Sequence, residues 1–191
     1  MSPPAELTSD SELIARVLQG DKAEYAVLVT RYQERLYRFA LGSTGDPDTA
    51  ADMVQDTFVK AYTSLSTCRE RERFGSWLFR ILRNRCMDFQ KEHRRRDVSL
   101  NENFDGISRL GSPDGDLARA GLRNALEQAL LHLPDAQREA FLLKHVQDLS
   151  YEEIGSLLGV GASALKMRVA RAREVLRTTM RELGYEHSRL L

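Results

Sequence analysis

Residues 149–183 read LSYEEIGSLLGVGASALKMRVARAREVLRTTMREL, and this stretch decides how the second half of the chain folds. Ser150 and Glu153 form a capping box, each side chain able to satisfy the other's backbone amide. The helix they start is short, and Gly159 closes it. A long basic helix is expected from about Ala162 to Leu183. Ile154, Leu158, Val160, Leu165 and Val169 have the spacing of a small three-helix core. Short helix, glycine-containing turn and basic helix make the helix-turn-helix pattern, whose second helix enters the major groove of DNA. That helix carries Lys166, Arg168, Arg171, Arg173, Arg177 and Arg181, cations that suit phosphates and guanine edges. A solvated basic face on an ordinary helical hairpin is the plainer alternative.

Upstream of this motif, a helix is expected from about Arg119 to His132, and Pro134 opens another from Asp135 to about Gln147. The stretch 97–118 contains Gly106, Gly111, Pro113 and Gly115, has net negative charge and lacks a sustained period, which predicts a flexible linker. The first half again reads as helices. Ser9 and Glu12 form a capping box ahead of Leu13, Ile14, Val17 and Leu18, and Gly20 ends that helix. A second helix is expected from about Asp21 to Leu41, with Tyr25, Leu28, Val29, Tyr32, Leu36 and Phe39 at three- and four-residue steps. The run 42–45, GSTG, is expected to break it. Asp46 and Pro47 open a third helix reaching about Leu65. Residues 66–73, STCRERER, read as a charged loop, and a fourth helix runs from about Phe74 to Arg94. The fold class is all-α: two small helical domains, one of about 85 residues and one of about 70, each able to hold one core.

The 191 residues carry 28 Lys/Arg and 28 Asp/Glu, a formal net charge of zero that hides strong patterning. Residues 69–96 have a net charge of +6 and residues 163–181 of +5, while 1–68 and 97–118 each have −4. Polyanion binding depends on local field, so the chain has two places that suit nucleic acid. Apolar residues at 42% exclude a wholly disordered chain. No apolar run approaches the ~18 residues of a membrane span, so no membrane insertion is expected. The N-terminal residues show no secretory signal pattern. Cys68 and Cys86 form no CxxC pair, and reduced thiols in the cytosol are expected.

In the basic block 69–96, cations lie among Phe74, Trp77 and Phe79. That mixture suits an unpaired nucleic-acid strand, because bases stack while phosphates are neutralised; burial of Trp77 and Phe74 in a core fits the same pattern. Asp48, Asp52 and Asp56 sit four apart and share a helix face, where like charges repel by about a few tenths of a kcal/mol per pair. A partner of opposite charge would offset that, and plain solvation is the alternative. No metal site is expected, because no His or Cys stands at ligand spacing and oxygen-only sites need more ligands. No catalytic residue and no cofactor are expected: there is no phosphate-binding glycine loop, nucleophile elbow or zinc spacing. The histidines 93, 132, 145 and 187 are scattered.

Taken together, the motifs resemble a known family. Asp52-x-x-Gln55-Asp56-Thr-Phe-x-x-x-Tyr62, then Phe74-x-x-Trp77-Leu78-x-Arg80-Ile81 with Asn84, resemble region 2 of bacterial sigma factors. Leu133-Pro134, Leu149-Ser-Tyr-Glu-Glu-Ile154 and Arg171-Ala-Arg-Glu-x-Leu176 resemble region 4. The order, the acidic linker and the short length are similar to the extracytoplasmic-function (ECF) group of the sigma-70 family. The resemblance implies a region 2 domain over 10–96, a flexible acidic linker over 97–118 and a region 4 domain over 119–184. It implies a cytoplasmic bacterial transcription-initiation factor, nucleoid-associated in holoenzyme, and not an enzyme. Its partners would be core RNA polymerase (the largest-subunit clamp helices and the flap), promoter DNA and an anti-sigma factor.

Site residues follow from the same resemblance. Asp48, Asp52, Met53, Gln55 and Asp56 match core-polymerase-binding positions. Cys68, Arg69, Arg71, Arg73, Ser76, Arg80 and Asn84 match positions at the minus-ten element, where a base is extruded and held. Lys144, Tyr151, Glu152, Ala164, Lys166, Met167, Ala170, Arg171 and Arg173 match positions facing the minus-thirty-five element. The chain departs from the family at Cys68, where an aromatic is common, and at Ala164, Met167 and Ala170, where polar or aromatic side chains are common.

Overall fold

The computed structural model describes residues 8–97 and 115–185, and side-chain surroundings for 8–92 and 121–185. Among the described residues the regular structure is eight α-helices and two short 3-10 turns, with no strand. In chain order the helices are α1 (Asp10–Leu18), α2 (Ala23–Thr44), α3 (Pro47–Thr63), α4 (Phe74–Asp97), α5 (Gly115–Leu131), α6 (Asp135–His145), α7 (Tyr151–Leu158) and α8 (Ala162–Glu182).

Helix starts follow the capping chemistry. Ser9 Oγ accepts the Glu12 amide at 3.2 Å while Glu12 takes the Ser9 amide at 3.0 Å. Asp46 accepts the Thr49 amide at 2.8 Å ahead of Pro47. The expected break at Gly42 does not occur. Gly42 lies inside α2 and is buried, and a Cβ there would sit 2.7 Å from Leu142 Cδ2. Its glycine serves a close approach by the second half of the chain. The helix ends at Gly45, whose φ of 73° is left-handed and whose amide bonds Leu41 O at 2.8 Å.

The stretch 66–73 is more ordered than a plain loop. Leu65–Thr67 and Arg71–Arg73 form 3-10 turns, and Leu65 and Cys68 plug into the core. Both flanks of the expected linker are helical: α4 continues to Asp97 and α5 begins at Gly115. The linker's remaining residues, 98–114, lie outside the described residues. α6 ends at His145, two residues early, and Asp148 takes a φ of 53° in the turn that follows.

The α1–α4 module is built around Leu13, Ile14, Leu28, Leu36, Phe39, Phe74, Leu78 and Leu82. The second module, α5–α8, is centred on Leu143, Ile154, Leu165, Val169 and Leu176. The two pack against each other, chiefly α2 on α5 and α6, with α4 touching α7. Arg35 Nη2 donates to Gln147 O, and Gln147 Nε2 returns a bond to Arg35 O at 2.8 Å. Arg83 Nε meets Glu139 Oε1 at 2.5 Å. A cavity of about 220 Å³ opens along this seam, lined among others by Arg83, Cys86, Met87, Arg138 and Glu139.

Candidate functional site

Three surfaces gather the residues singled out above. The first is the outer face of α3. Its inner face buries Ala50, Met53, Val54, Thr57, Phe58 and Ala61, and the 3.6-residue period turns Asp48, Asp52, Gln55 and Asp56 outward, all exposed. Asp56 meets Arg85 Nη2 at 3.4 Å, but both side chains are more than half exposed, so the pair holds the carboxylate only weakly. Met53 does not share this face. It is 3% exposed, and the Cys86 thiol donates to its sulfur at 3.8 Å. A partner reaching this structure cannot touch it, so its contribution is to packing.

Beside the acidic stripe lies an open groove between α2 and α3. Val29, Tyr37, Ala51, Val54, Phe58 and Val59 line it, with Gln33, Glu34 and Gln55 at its rim. Its volume is about 480 Å³, and Val59 is 59% exposed. Sequence reasoning named the carboxylates and missed this apolar neighbour. The signal was present: Val29 and Tyr37 each stand one residue off the Leu28–Tyr32–Leu36 stripe that feeds the core.

The second surface joins the 65–73 turns to the outer face of α4. Arg69, Arg73, Arg80 and Asn84 are exposed, and Arg71 and Ser76 are half-buried. Cys68 differs from the rest. It is buried at 3% exposure, its thiol faces Glu70 O at 3.9 Å, and burial pushes its ionisation upward against the opposing pull of Arg71 and Arg80. It anchors the turn from inside and is not available to a ligand. Trp77 is half-buried, its ring tilted against Phe74 at 5.8 Å. Phe74 is fully buried and packs edge-on to Tyr32. The two readings of the aromatics thus divide: Phe74 is core, and Trp77 keeps one side open.

The third surface is the α7–α8 pair. Ser150 Oγ accepts the Glu153 amide at 3.1 Å and Glu153 takes the Ser150 amide at 2.7 Å. Gly159 caps α7 at φ 67°, where a residue with a Cβ would be strained. On α8, Leu165, Val169, Ala172 and Leu176 face inward, leaving Ala164, Lys166, Met167, Ala170 and Arg171 exposed. Tyr151 is flanked by two ammonium groups, Lys144 at 5.2 Å and Lys166 at 5.8 Å from its ring centre. Lys144 also donates to Leu149 O at 3.0 Å. Glu152 is exposed beside them. Arg173 Nη2 lies 3.1 Å from His145 Nε2. Burial, then the charges of Arg173 and Lys144, lower the His145 ionisation, so the neutral ring accepts from the guanidinium. Lys144 and Arg173 are therefore braced within the module, while Lys166 and Arg171 project from it.

Among the described residues, no group of three or more His, Cys, Asp or Glu is placed to hold a metal ion. No helix there is long and apolar enough to cross a membrane. The arrangement offers an exposed acidic face beside an apolar groove, a basic face with one open aromatic, and a helix-turn-helix.

Comparison with known proteins matches two stretches of the chain. Residues 28–96 match the family model for sigma-70 region 2, and residues 123–176 match that for sigma-70 region 4. The RNA polymerase sigma-H factor of Pseudomonas aeruginosa is 30% identical over 183 residues, covering 91% of this chain and 95% of that protein. The ECF RNA polymerase sigma factor SigW of Bacillus subtilis is 29% identical over 180 residues, covering 89% and 96%. Among solved structures, the sigma factor RpoE in complex with the anti-sigma factor NepR from Bartonella quintana matches with a TM-score of 0.65 at 28% identity, covering 83% of this chain and 97% of that one. CnrH in complex with the cytosolic domain of CnrY matches with a TM-score of 0.67 at 26% identity, covering 92% and 99%.

Proposed function

The chain belongs to the ECF group of the sigma-70 family, and from that premise we propose that it binds core RNA polymerase, directs it to specific promoters and assists strand opening there. The observation that carries this reading is the acidic stripe of Asp48, Asp52, Gln55 and Asp56 beside an open apolar groove, on a chain that also presents two separate basic faces. A free-standing repressor needs only the helix-turn-helix.

In this reading the α3 face docks on the clamp helices of the largest polymerase subunit. The carboxylates supply charge complementarity, and the groove supplies apolar area that desolvates on contact. The second module engages the flap. Arg69, Arg71, Arg73, Ser76, Arg80 and Asn84 meet the minus-ten strand, with Cys68 holding their turn in place from below. Opening a duplex costs on the order of a few kcal/mol per unstacked base. Base capture and phosphate contacts offset that, so this chain hydrolyses nothing. Lys166 and Arg171, with Tyr151, Glu152, Ala164, Met167 and Ala170, face the minus-thirty-five element, and Lys144 and Arg173 position them. The domains run 10–96 and 119–184, and the chain works in the bacterial cytoplasm, on the nucleoid when in holoenzyme.

The chain is held inactive by an anti-sigma factor until needed. Its likeness to RpoE, which was solved with the anti-sigma factor NepR, supports this. Run-off transcription with purified core enzyme tests the activity. The expected result is promoter-dependent transcript only when core and this chain are combined. Tight duplex binding by the chain alone, with no association with core, would establish a free-standing DNA-binding regulator instead.

A further inference from the structure

We propose that Met167, with Ala164 and Ala170 beside it, reads thymine 5-methyl groups on the major-groove edge of the upstream promoter element. This rests on α8 being the recognition helix, and it names which bases that helix selects.

The first three turns of α8 point Met167 directly away from the buried Leu165, Val169 and Ala172. Met167 is 55% exposed, one of the few large apolar side chains in the second module left open to water. Its neighbours on that face, Ala164 and Ala170, are exposed and short, so the methionine is the part that protrudes. Lys166 and Arg171 are exposed on its two flanks and suit the phosphate rails on either side of a groove. Lys144 and Arg173 are held elsewhere, Lys144 bonded to Leu149 O and Arg173 to His145, while Arg168 and Arg177 on α8 lie off the line of Met167. The central side chain of the projecting surface is therefore apolar and bracketed by cations.

In the major groove the one apolar feature of a base pair is the thymine methyl, and every other readable group is a hydrogen-bond donor or acceptor. A thioether cannot replace the water bound at a purine edge, whereas against a methyl group it loses nothing and buries apolar surface. Methionine's unbranched, polarizable chain also adapts to a methyl on either strand.

The test uses holoenzyme assembled from core polymerase and the full chain. A duplex library randomised upstream of a fixed minus-ten region is enriched by binding to it. Each thymine in the enriched block is then replaced singly by deoxyuridine, which deletes the methyl and leaves pairing unchanged. The proposal expects at least one thymine under α8 whose replacement weakens binding about fourfold, the worth of one buried methyl at about 0.8 kcal/mol. M167Q holoenzyme should no longer distinguish thymine from uracil there, while M167L should still do so. An enriched block without thymine, or one in which uracil is tolerated throughout, overturns the proposal and leaves the recognition-helix reading standing if K166A or R171A weakens binding to that block. If neither variant affects the block, α8 does not read it, and both fall.

Discussion

Met53 and Cys86 meet sulfur to sulfur inside the first module, and both show what a linear motif leaves out. Met53 lies between the exposed Asp52 and the core, so sequence position groups it with the docking carboxylates while the helix period turns it inward. Cys68 is a similar case: Arg69 and Arg73 near it are exposed, while it points down into the core. The Cys86 thiol is pushed from 9.0 up to about 12, chiefly by burial. Below pH 9 folded and unfolded chains both hold that proton. Above it the unfolded chain releases the proton and the folded chain keeps it, so stability falls as pH rises from 9 toward 12. Tyr25 and Tyr32, raised by burial as well, add to the fall above pH 10. Urea denaturation at pH 8 and pH 10 should show lower stability at the higher pH, and the Cys86→Ala variant should show a smaller difference between the two.

At the scale of the element, helix starts were legible and helix ends less so. Ser9, Asp46 and Ser150 announce their helices because a cap is a local hydrogen bond between residues close in sequence. Gly42 misleads because its reason lies a hundred residues away, in Leu142. The helix-turn-helix was legible for the opposite reason: cap, turn and basic helix are all local. Replacing Ser150 with Ala removes the Glu153 amide's acceptor and should cost about 0.5–2 kcal/mol of stability, read as a lowered denaturation midpoint of the full chain. The apolar groove between α2 and α3 was not legible, because it depends on how two helices splay at their outer edge. Filling it through Val59→Arg should weaken association with core polymerase by about tenfold or more while leaving the thermal midpoint nearly unchanged, since Val59 is already exposed; pull-down and melting measurements separate the two.

At the scale of the whole molecule, the two modules share a seam that no sequence motif predicts. Arg35 with Gln147, Arg83 with Glu139, and the leucines seated over Gly42 and Gly45 connect residues distant in the chain. A compact chain of this length has a radius of gyration of about 16 Å. Duplex DNA rises about 3.4 Å per base pair, so elements named minus ten and minus thirty-five lie about 85 Å apart. If the two modules hold the two elements as proposed, a molecule closed at the seam does not reach both, and promoter engagement requires it to open. The Arg83–Glu139 contact is largely buried and charge-assisted, worth about 1.5–3 kcal/mol. Glu139→Lys should lengthen the distance between spectroscopic labels on α3 and α8 in the free chain, and adding Arg83→Glu should shorten it again. An unchanged distance in the single variant would show that the seam does not depend on this pair.

The acidic face of α3 is the proposed hold on the transcribing enzyme. The direct measurement is the affinity of the Asp52→Asn/Asp56→Asn double variant for core polymerase, made beside its thermal midpoint. Both side chains are exposed, so the midpoint should stay near that of the unaltered chain. Affinity should drop about tenfold or more, the equivalent of about 1.4 kcal/mol, and run-off transcript should fall with it. Full affinity for core in a folded double variant would contradict the account.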